Sequence, residues 1–416
     1  MHATLQAGGP ARACLTATAL AVLTWAVAAT AAEAQDKKPV PGWAQGRPAH
    51  MENSPLAPHP TGMKATPADQ IPLAKIKVPA GFKVELWAHG IVGGRTMVRG
   101  DKGTIFMGTR GIGRVYAVVD KGATREHMVI AEGLTQPNGL AFRNGSLFVA
   151  AINKVLRYDN IEANLMSPPK PVELTDAFNL PPEAHHNWKY MAFGPDGKLY
   201  VQVGAPCNIC GINPEVHGQI RRYNADGTGM EIWARGVRNT VGFDFHPKTG
   251  ELWFTDNGRD WMGDDGPECE LNRVSRPGEF FGFPYCHANG VHDVDFRKPN
   301  PCAGVTLPVV TLGPHTAPLG IQFYTGLMFP AAYKDRAFVA RRGSWNRAQK
   351  AGYDVVAVSA TAEGKNARLE PFMTGFLDTQ ANTFWGRPAY VMQMPDGALL
   401  VSDEFNGAIY RVSYKK

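Results

Sequence analysis

The sequence predicts an all-β chain, a six-bladed β-propeller with four-stranded antiparallel blades, and three observations carry that expectation. The first is a recurring phrase: Met191-Ala-Phe-Gly-Pro-Asp-Gly-Lys-Leu-Tyr-Val, Val241-Gly-Phe-Asp-Phe-His-Pro-Lys-Thr-Gly-Glu-Leu-Trp-Phe and Val391-Met-Gln-Met-Pro-Asp-Gly-Ala-Leu-Leu-Val. Each is a β-hairpin in which a run of β-formers enters a turn whose glycine supplies positive φ, and a second run folds back. The second observation is the number of copies. Weaker versions start at Met97, at Gly139 and, around a longer turn, at Gly320 with Ala337-Phe-Val-Ala, which makes six. A blade takes about 40 to 50 residues, and apart from two long insertions the copies keep that spacing, which a β-sandwich pair does not explain. The third is Ile76-Lys-Val-Pro-Ala-Gly-Phe-Lys-Val-Glu-Leu-Trp, which alternates like a strand able to complete the last blade.

The ends read differently from the repeats. The apolar stretch from Leu15 to Ala29 is followed by Ala32-Glu-Ala34, a small-x-small cleavage site, so residues 1–34 are expected to be a signal peptide and the mature protein periplasmic or secreted. The apolar run is short for a span, so no membrane span is expected in the mature chain. Residues 35–72, rich in Pro, Lys, His and Ala without apolar periodicity, read as a flexible leader, and 73–416 as the propeller.

Composition excludes some classes. The formal net charge of +6 comes without a Lys/Arg run longer than two, so no nucleic-acid partner is expected. Five cysteines follow the signal peptide, in a compartment that permits disulfides. Cys286 with Cys302, and Cys207 with either Cys210 or Cys269, are the plausible bridges. Cys207-Asn-Ile-Cys210 is followed by Gly211, not the histidine a c-type haem needs, and no βαβ context supports a thioredoxin-like dithiol; a structural disulfide or free thiols remain. Gly108-Thr-Arg-Gly-Ile-Gly-Arg matches neither dinucleotide nor P-loop spacing.

Hairpin geometry points to a site. The residue entering a first strand and the residue leaving the second lie at the same end, opposite the turn. Counting back from the turn glycines reaches Gln136, His186, Arg238-Asn239 and Arg387; counting forward reaches Arg110, Asn153, Asn257-Gly258, Arg341-Arg342 and Asp403-Glu404. If first strands line the channel, these residues converge at one mouth. Several cations there repel unless an anion sits between them, so the pattern implies a multiply charged anionic ligand.

At this point the chain resembles the soluble pyrroloquinoline quinone (PQQ)-dependent sugar dehydrogenases, in particular their sorbosone dehydrogenase-like branch. The resemblance spans about Leu73 to Val412 and rests on the joint order of His185-His-Asn-Trp-Lys-Tyr, Ala234-Arg-Gly-Val-Arg-Asn, Phe254-Thr-Asp-Asn-Gly, Glu270-Leu-Asn, Phe281-Gly-Phe-Pro, His315-Thr-Ala-Pro-Leu-Gly, Gly343-Ser-Trp-Asn-Arg and Gly386-Arg-Pro. It implies PQQ and Ca²⁺ as cofactors, with His186 as general base and Gln136, Arg238, Asn239, Arg341, Arg342, Arg387 and Asp403 as cofactor ligands. Calcium would be held by the carbonyls of Gly258 and Arg259 with Asn257 beside them.

Those residue types suit the chemistry. A histidine with a pKa near neutrality can take the hydroxyl proton as hydride leaves the same carbon, and cations stabilise the charge of a reduced cofactor. The substrate expected is a sugar or sugar aldehyde, of aldose or sorbosone type. Without a haem domain, a separate acceptor, a cytochrome c or a quinone, would receive the electrons. The sequence departs from glucose-oxidising relatives after Val203-Gly204, where Ala205-Pro-Cys-Asn replaces an acidic residue that orients the histidine. The alternative from another class is a calcium-dependent propeller lactonase or related hydrolase, with Asn153, Asn257, Asp403 and Glu404 around a metal.

Overall fold

Turn chemistry sets the hairpins. Gly197, Gly250 and Gly397 sit at φ of 78°, 70° and 89°, and in both Pro-Asp-Gly turns the aspartate accepts the N–H two residues on: Lys198 N to Asp196 Oδ1 and Ala398 N to Asp396 Oδ1, each at 3.0 Å. The strands these turns join alternate or run fully buried, as in Leu199–Val203, Leu252–Asp256 and Leu399–Asp403. The computed structural model describes residues 40–58 and 65–415; the expected signal peptide lies outside them.

The hairpins assemble into six antiparallel sheets, one per blade. Their first strands are Gly94–Arg99, Gly139–Arg143, Met191–Phe193, Phe243–Phe245, Pro318–Phe323 and Pro388–Gln393. First strands of neighbouring blades approach one another around the axis. The core is distributed: separate apolar clusters lie between adjoining sheets, for example Phe148, Val201 and Tyr223, or Trp253, Val339 and Val356, and a larger one joins two such interfaces through Tyr190, Phe243 and Tyr390 near the axis. The alternating segment near the start closes the ring, because Phe82–Ala88 pairs antiparallel with Ala408–Tyr414 as outer strand of the last blade. The third blade gains a short fifth strand, Glu279–Phe280, parallel to Glu231–Arg235.

Insertions account for the irregular spacing. Between Glu268–Arg273 and the outer strand Val310–Pro314 of the fourth blade, the chain makes an excursion stapled by the Cys286–Cys302 disulfide. A second disulfide joins Cys207 to Cys210, and Cys269 is free and buried. Part of the stretch read as a leader packs against the propeller: residues 42–58 form short 3₁₀ turns in the same unit as the blades. No helix among the described residues is long and apolar enough to cross a membrane.

Candidate functional site

At the mouth opposite the hairpin turns, loops entering the first strands surround a cavity of about 130 Å³. His186, Arg238, Asn239, Asn257, Gly258 and Arg342 all line it, as do Arg95, Arg110, Trp188 and Asn208. Several of these loops hold unusual backbone: Gln136, His186 and His315 have φ of 53°, 52° and 58°. Such conformations cost energy and persist where the surroundings impose them, often at functional sites.

His186 shows how the repeat builds the site. Its carbonyl accepts Gln202 Nε2 at 3.1 Å, and it crosses so close to the end of the adjoining strand that a Cβ on Gly204 would lie 2.3 Å from it. Only glycine admits that crossing. The imidazole packs edge-on against His185 and Trp188, and its Nδ1 is buried without a hydrogen-bond partner. Burial above all, then the charges of Arg238 and nearby groups, hold its pKa well below the usual histidine value; a backbone hydrogen bond with Ala205 acts the other way. His185 is held down to about 4 by burial and by Arg238 and Arg110. Both rings are neutral near pH 7.

The cations form a cluster around one carboxylate. Glu404, fully buried, pairs with Arg342 and with Arg95 (Nε–Oε2 3.3 Å). Although burial opposes its charge, Arg342, Arg95, Arg387 and Arg110 together bring its pKa down to about 2. The arginines depress one another: burial and mutual repulsion bring Arg110 and Arg387 down to about 9, and burial chiefly brings Arg95 to about 10. Among the described residues Arg110 has no hydrogen-bond or ion-pair partner, and it stacks over Trp188, its guanidinium carbon 3.8 Å from the ring centroid. One carboxylate does not neutralise four guanidinium groups, so the cluster carries net positive charge at buried positions.

Arg238 is anchored to the opposite wall. Its Nη1 donates to Gly258 O (3.0 Å) and Asn257 O (3.2 Å), and its Nη2 to Asn208 Oδ1 (2.7 Å) and Asp260 Oδ2 (3.3 Å). Asp256, which ends the second strand of the same blade, accepts the backbone N–H groups of Arg238 and Asn239 at 2.8 and 2.6 Å. The last blade repeats the device: Asp403 Oδ1 accepts Arg387 N at 2.9 Å. Behind Asp256 lies Glu270, its partner across the ladder; burial and that neighbouring carboxylate push Glu270 up to about 8, and burial pushes Asp256 to about 6.

Not every expected ligand faces the cavity. Asp403 is spent on structure, accepting also from Phe405 N, Asn406 Nδ2 and Tyr410 Oη. Arg341 points to the other face of its strand, paired with Asp354 at 2.6 Å and donating to Leu312 O, while Arg342 enters the cavity. Arg259 is buried against Asp293 and Asp295, so only its main chain is left for a ligand. Arg387 lies just behind the wall, donating to the carbonyls of Arg342 and Gly343 with Nη1 unpartnered. Gln136 and Asn153 do not line the cavity. Arg95 is missed by counting because it stands eight residues before the turn glycine Gly103, whereas Gln136, His186, Arg238-Asn239 and Arg387 stand nine to twelve before theirs, and the register of its hairpin shifts there.

The cavity presents unsatisfied donors to an anion and converging oxygens to a cation. Arg95 Nη1, Arg238 Nε, Trp188 Nε1 and Asn346 Nδ2 are buried donors around the cavity without partners among the described residues. Unpaired buried donors are costly, and an acceptor-rich polyanion is what satisfies them. For a cation, the carbonyls of Asn257 and Gly258 converge closely enough to share one Arg238 nitrogen, and Asn239 Oδ1 is unpartnered. Among the described residues no group of three or more His, Cys, Asp or Glu side chains could hold a metal, so a hard cation here would rest on carbonyl oxygens.

Comparison with known proteins agrees with this architecture. The calcium structure of the Trichoderma reesei carbohydrate-active enzyme of family AA12 superposes with a TM-score of 0.66 at 20% identity, covering 82% of this chain and 97% of that one. The holo PQQ domain of pyranose dehydrogenase from Coprinopsis cinerea gives 0.65 at 20%, covering 81% and 97%. The soluble aldose sugar dehydrogenase of Escherichia coli, in its apo form, gives 0.61 at 17%, covering 80% and 100%. At these identities the likeness shows the six-bladed fold. In sequence, an uncharacterised protein of Borreliella burgdorferi is 33% identical over 352 residues, 82% of this chain and 91% of its own length. The model of the TrAA12-like family matches residues 76–415, and the chain belongs to that family.

Proposed function

We propose that the protein is a PQQ-dependent dehydrogenase that oxidises a sugar or sugar aldehyde, with calcium as second cofactor. The observation that carries the reading is the cluster of mutually repelling arginines with unpartnered donors, closing on one cavity with a buried neutral histidine. The names of the superposed proteins, a PQQ domain, a calcium-containing enzyme and an aldose sugar dehydrogenase, support it.

Arg95, Arg110 and Arg342 would hold the carboxylates of the quinone, with the charge of Arg387 behind them and Arg238 and Asn239 on the opposite wall. The carbonyls of Asn257 and Gly258, with Asn239 Oδ1 and the main chain of Arg259 beside them, would hold calcium. When bound, the quinone supplies a two-electron acceptor for hydride and the calcium polarises its carbonyl. The chain's own groups do the rest. His186 accepts the substrate hydroxyl proton, because burial keeps its imidazole unprotonated at neutral pH. Trp188 stacks on Arg110 and holds that guanidinium toward the cavity. Asp256 and Asp403 position the arginines through their backbone N–H groups.

The sorbosone-type substrate, export to the periplasm and transfer of electrons to a cytochrome c or quinone belong to the same proposal. Nothing in the geometry favours the hydrolase alternative, which needs Asn153 and Asp403 at one metal. The test is reconstitution of the mature protein with PQQ and Ca²⁺, followed by sugar-dependent bleaching of an electron-acceptor dye. Saturable, cofactor-dependent bleaching is expected; lactone hydrolysis without quinone would overturn the reading.

A further inference from the structure

We infer that residues 42–58, which precede the span matched by the family model, form the substrate-side wall of the cavity, with Trp43 as a specificity-determining residue seated on the disulfide-closed turn Cys207–Cys210. The inference rests on the sugar-oxidising reading and adds to it a part that lies outside the propeller.

The strap is built onto the site. Trp43 and Pro58 both line the cavity. The carbonyl of Trp43 accepts two side-chain donors from different loops, Asn208 Nδ2 at 2.8 Å and Trp261 Nε1 at 3.1 Å. Gly42 runs so close to His185 that an added Cβ would lie 3.2 Å from its Nδ1. Arg47 staples the segment: its guanidinium lies over the rings of Trp43 (5.0 Å) and Trp261 (4.6 Å) and donates to the carbonyls of Glu52 and Leu56. A stretch expected to be a leader thus has more specific contacts than a tether requires.

The seat explains a motif the cofactor chemistry leaves unused. Both residues between the cysteines touch the strap: Asn208 through its amide, and Ile209 through Gly46, whose positive φ of 74° lets the backbone pass with an added Cβ only 2.7 Å from Ile209 Cβ. Asn208 also accepts from Arg238 Nη2, through Oδ1 at 2.7 Å and its carbonyl at 3.1 Å. The disulfide therefore fixes one residue that bridges the strap to the anion-binding wall.

The chemistry of the wall names the occupant. Trp43 and Trp345 meet edge to face, centroids 5.7 Å apart at 82°, and both line the cavity. Two indoles at a corner offer flat apolar faces beside polar groups, which suits a sugar ring with apolar C–H faces and a polar rim.

The test uses the full chain as wild type, Trp43→Ala, Trp43→Phe and Gly46→Val. The last unseats the strap through Ile209 without altering any residue that lines the cavity. Calorimetric titration of the unloaded protein with a panel of monosaccharides, and KM and kcat of the reconstituted protein, are read together. Trp43→Ala and Gly46→Val are expected to weaken sugar binding and raise KM roughly tenfold with little change in kcat, and Trp43→Phe to recover most of the loss. Hydrogen exchange across residues 42–58 is expected to slow when sugar is added. Unchanged affinity and KM in both Trp43→Ala and Gly46→Val would overturn the inference, as would wild type that binds no sugar. Quinone uptake by the wild type, followed by tryptophan quenching, reports separately on the parent reading; if it fails, calorimetry still decides whether Trp43 contacts sugar.

Discussion

The two mouths of the channel are built from the same six first strands, yet they are chemical opposites. At the loop end stand Arg95, Arg110, Arg238 and Arg342, with buried donors left unpaired. At the turn end the lining is mainly apolar, with Met97, Leu140, Phe142, Phe243 and Met392 beside Arg99 and an Asp244–Gln322 pair (2.9 Å), and the Tyr190 and Tyr390 hydroxyls are hydrogen-bonded to each other across the channel. Tyr190 packs edge-on against Phe243 at 4.7 Å, and burial raises both phenol pKa values, so the pair stays neutral. One mouth leaves polar groups unsatisfied at a cost in stability; at the other Asp244 pairs with Gln322 and Tyr190 with Tyr390. The difference teaches that function sits where the fold tolerates strain and repulsion.

Mutations separate the two ends, beginning with the largest expected effect. His186→Ala is expected to lower turnover of the reconstituted protein by roughly 10²- to 10⁴-fold while quinone uptake persists. Steady-state rates with a parallel binding titration check it, and wild-type turnover in the variant would remove the histidine from the chemistry.

Behind the polar mouth, Glu270 is held at about 8, above its unfolded value of 4.5, so the native state binds more protons than the unfolded one. Its contribution to stability is present below about pH 4.5 and is lost as pH rises toward 8. Glu270→Gln, which stays neutral, is expected to flatten that decline by an amount on the order of a few kcal/mol. Denaturant titrations at pH 5 and pH 8 read it out; the same decline in both proteins would show that Glu270 ionises freely.

Arg110→Ala is expected to weaken quinone binding by about 10- to 100-fold while the unloaded protein keeps or gains thermal stability, since a repelling cation is removed. A fall in Tm with unchanged binding would make Arg110 structural. The smallest effect belongs to the turn end: Tyr390→Phe should cost about 1–3 kcal/mol by orphaning the Tyr190 hydroxyl, with turnover unchanged. Altered kinetics in that variant would mean that the two ends communicate.

Hairpins were legible because their cause is local. Asp196-Gly197 and Asp396-Gly397 make the same turn wherever the chain places them, and alternation follows from the pleat. The set of loops that carries His186, Arg238 and Arg342 was legible by counting from those turns. Individual residues were less so, because in a strand a shift of one position reverses the face. Arg341 and Arg342 are neighbours, and one goes to Asp354 while the other goes to Glu404. Asp403 and Glu404 divide likewise, one binding backbone N–H groups and the other the arginine cluster.

By itself, then, the amino-acid order determined the six-fold repeat, the closure by Phe82–Ala88, the loop end as the polar end, and the presence there of a histidine among arginines. All of these depend on turn chemistry and period, which act over a few residues. Tertiary structure decided which arginine faces the cavity, that Arg95 joins it, that Cys207 pairs with Cys210, and that Trp43 reaches Asn208. Those outcomes depend on contacts between segments up to hundreds of residues apart, whose geometry is set by how the blades close on the axis and not by any local pattern.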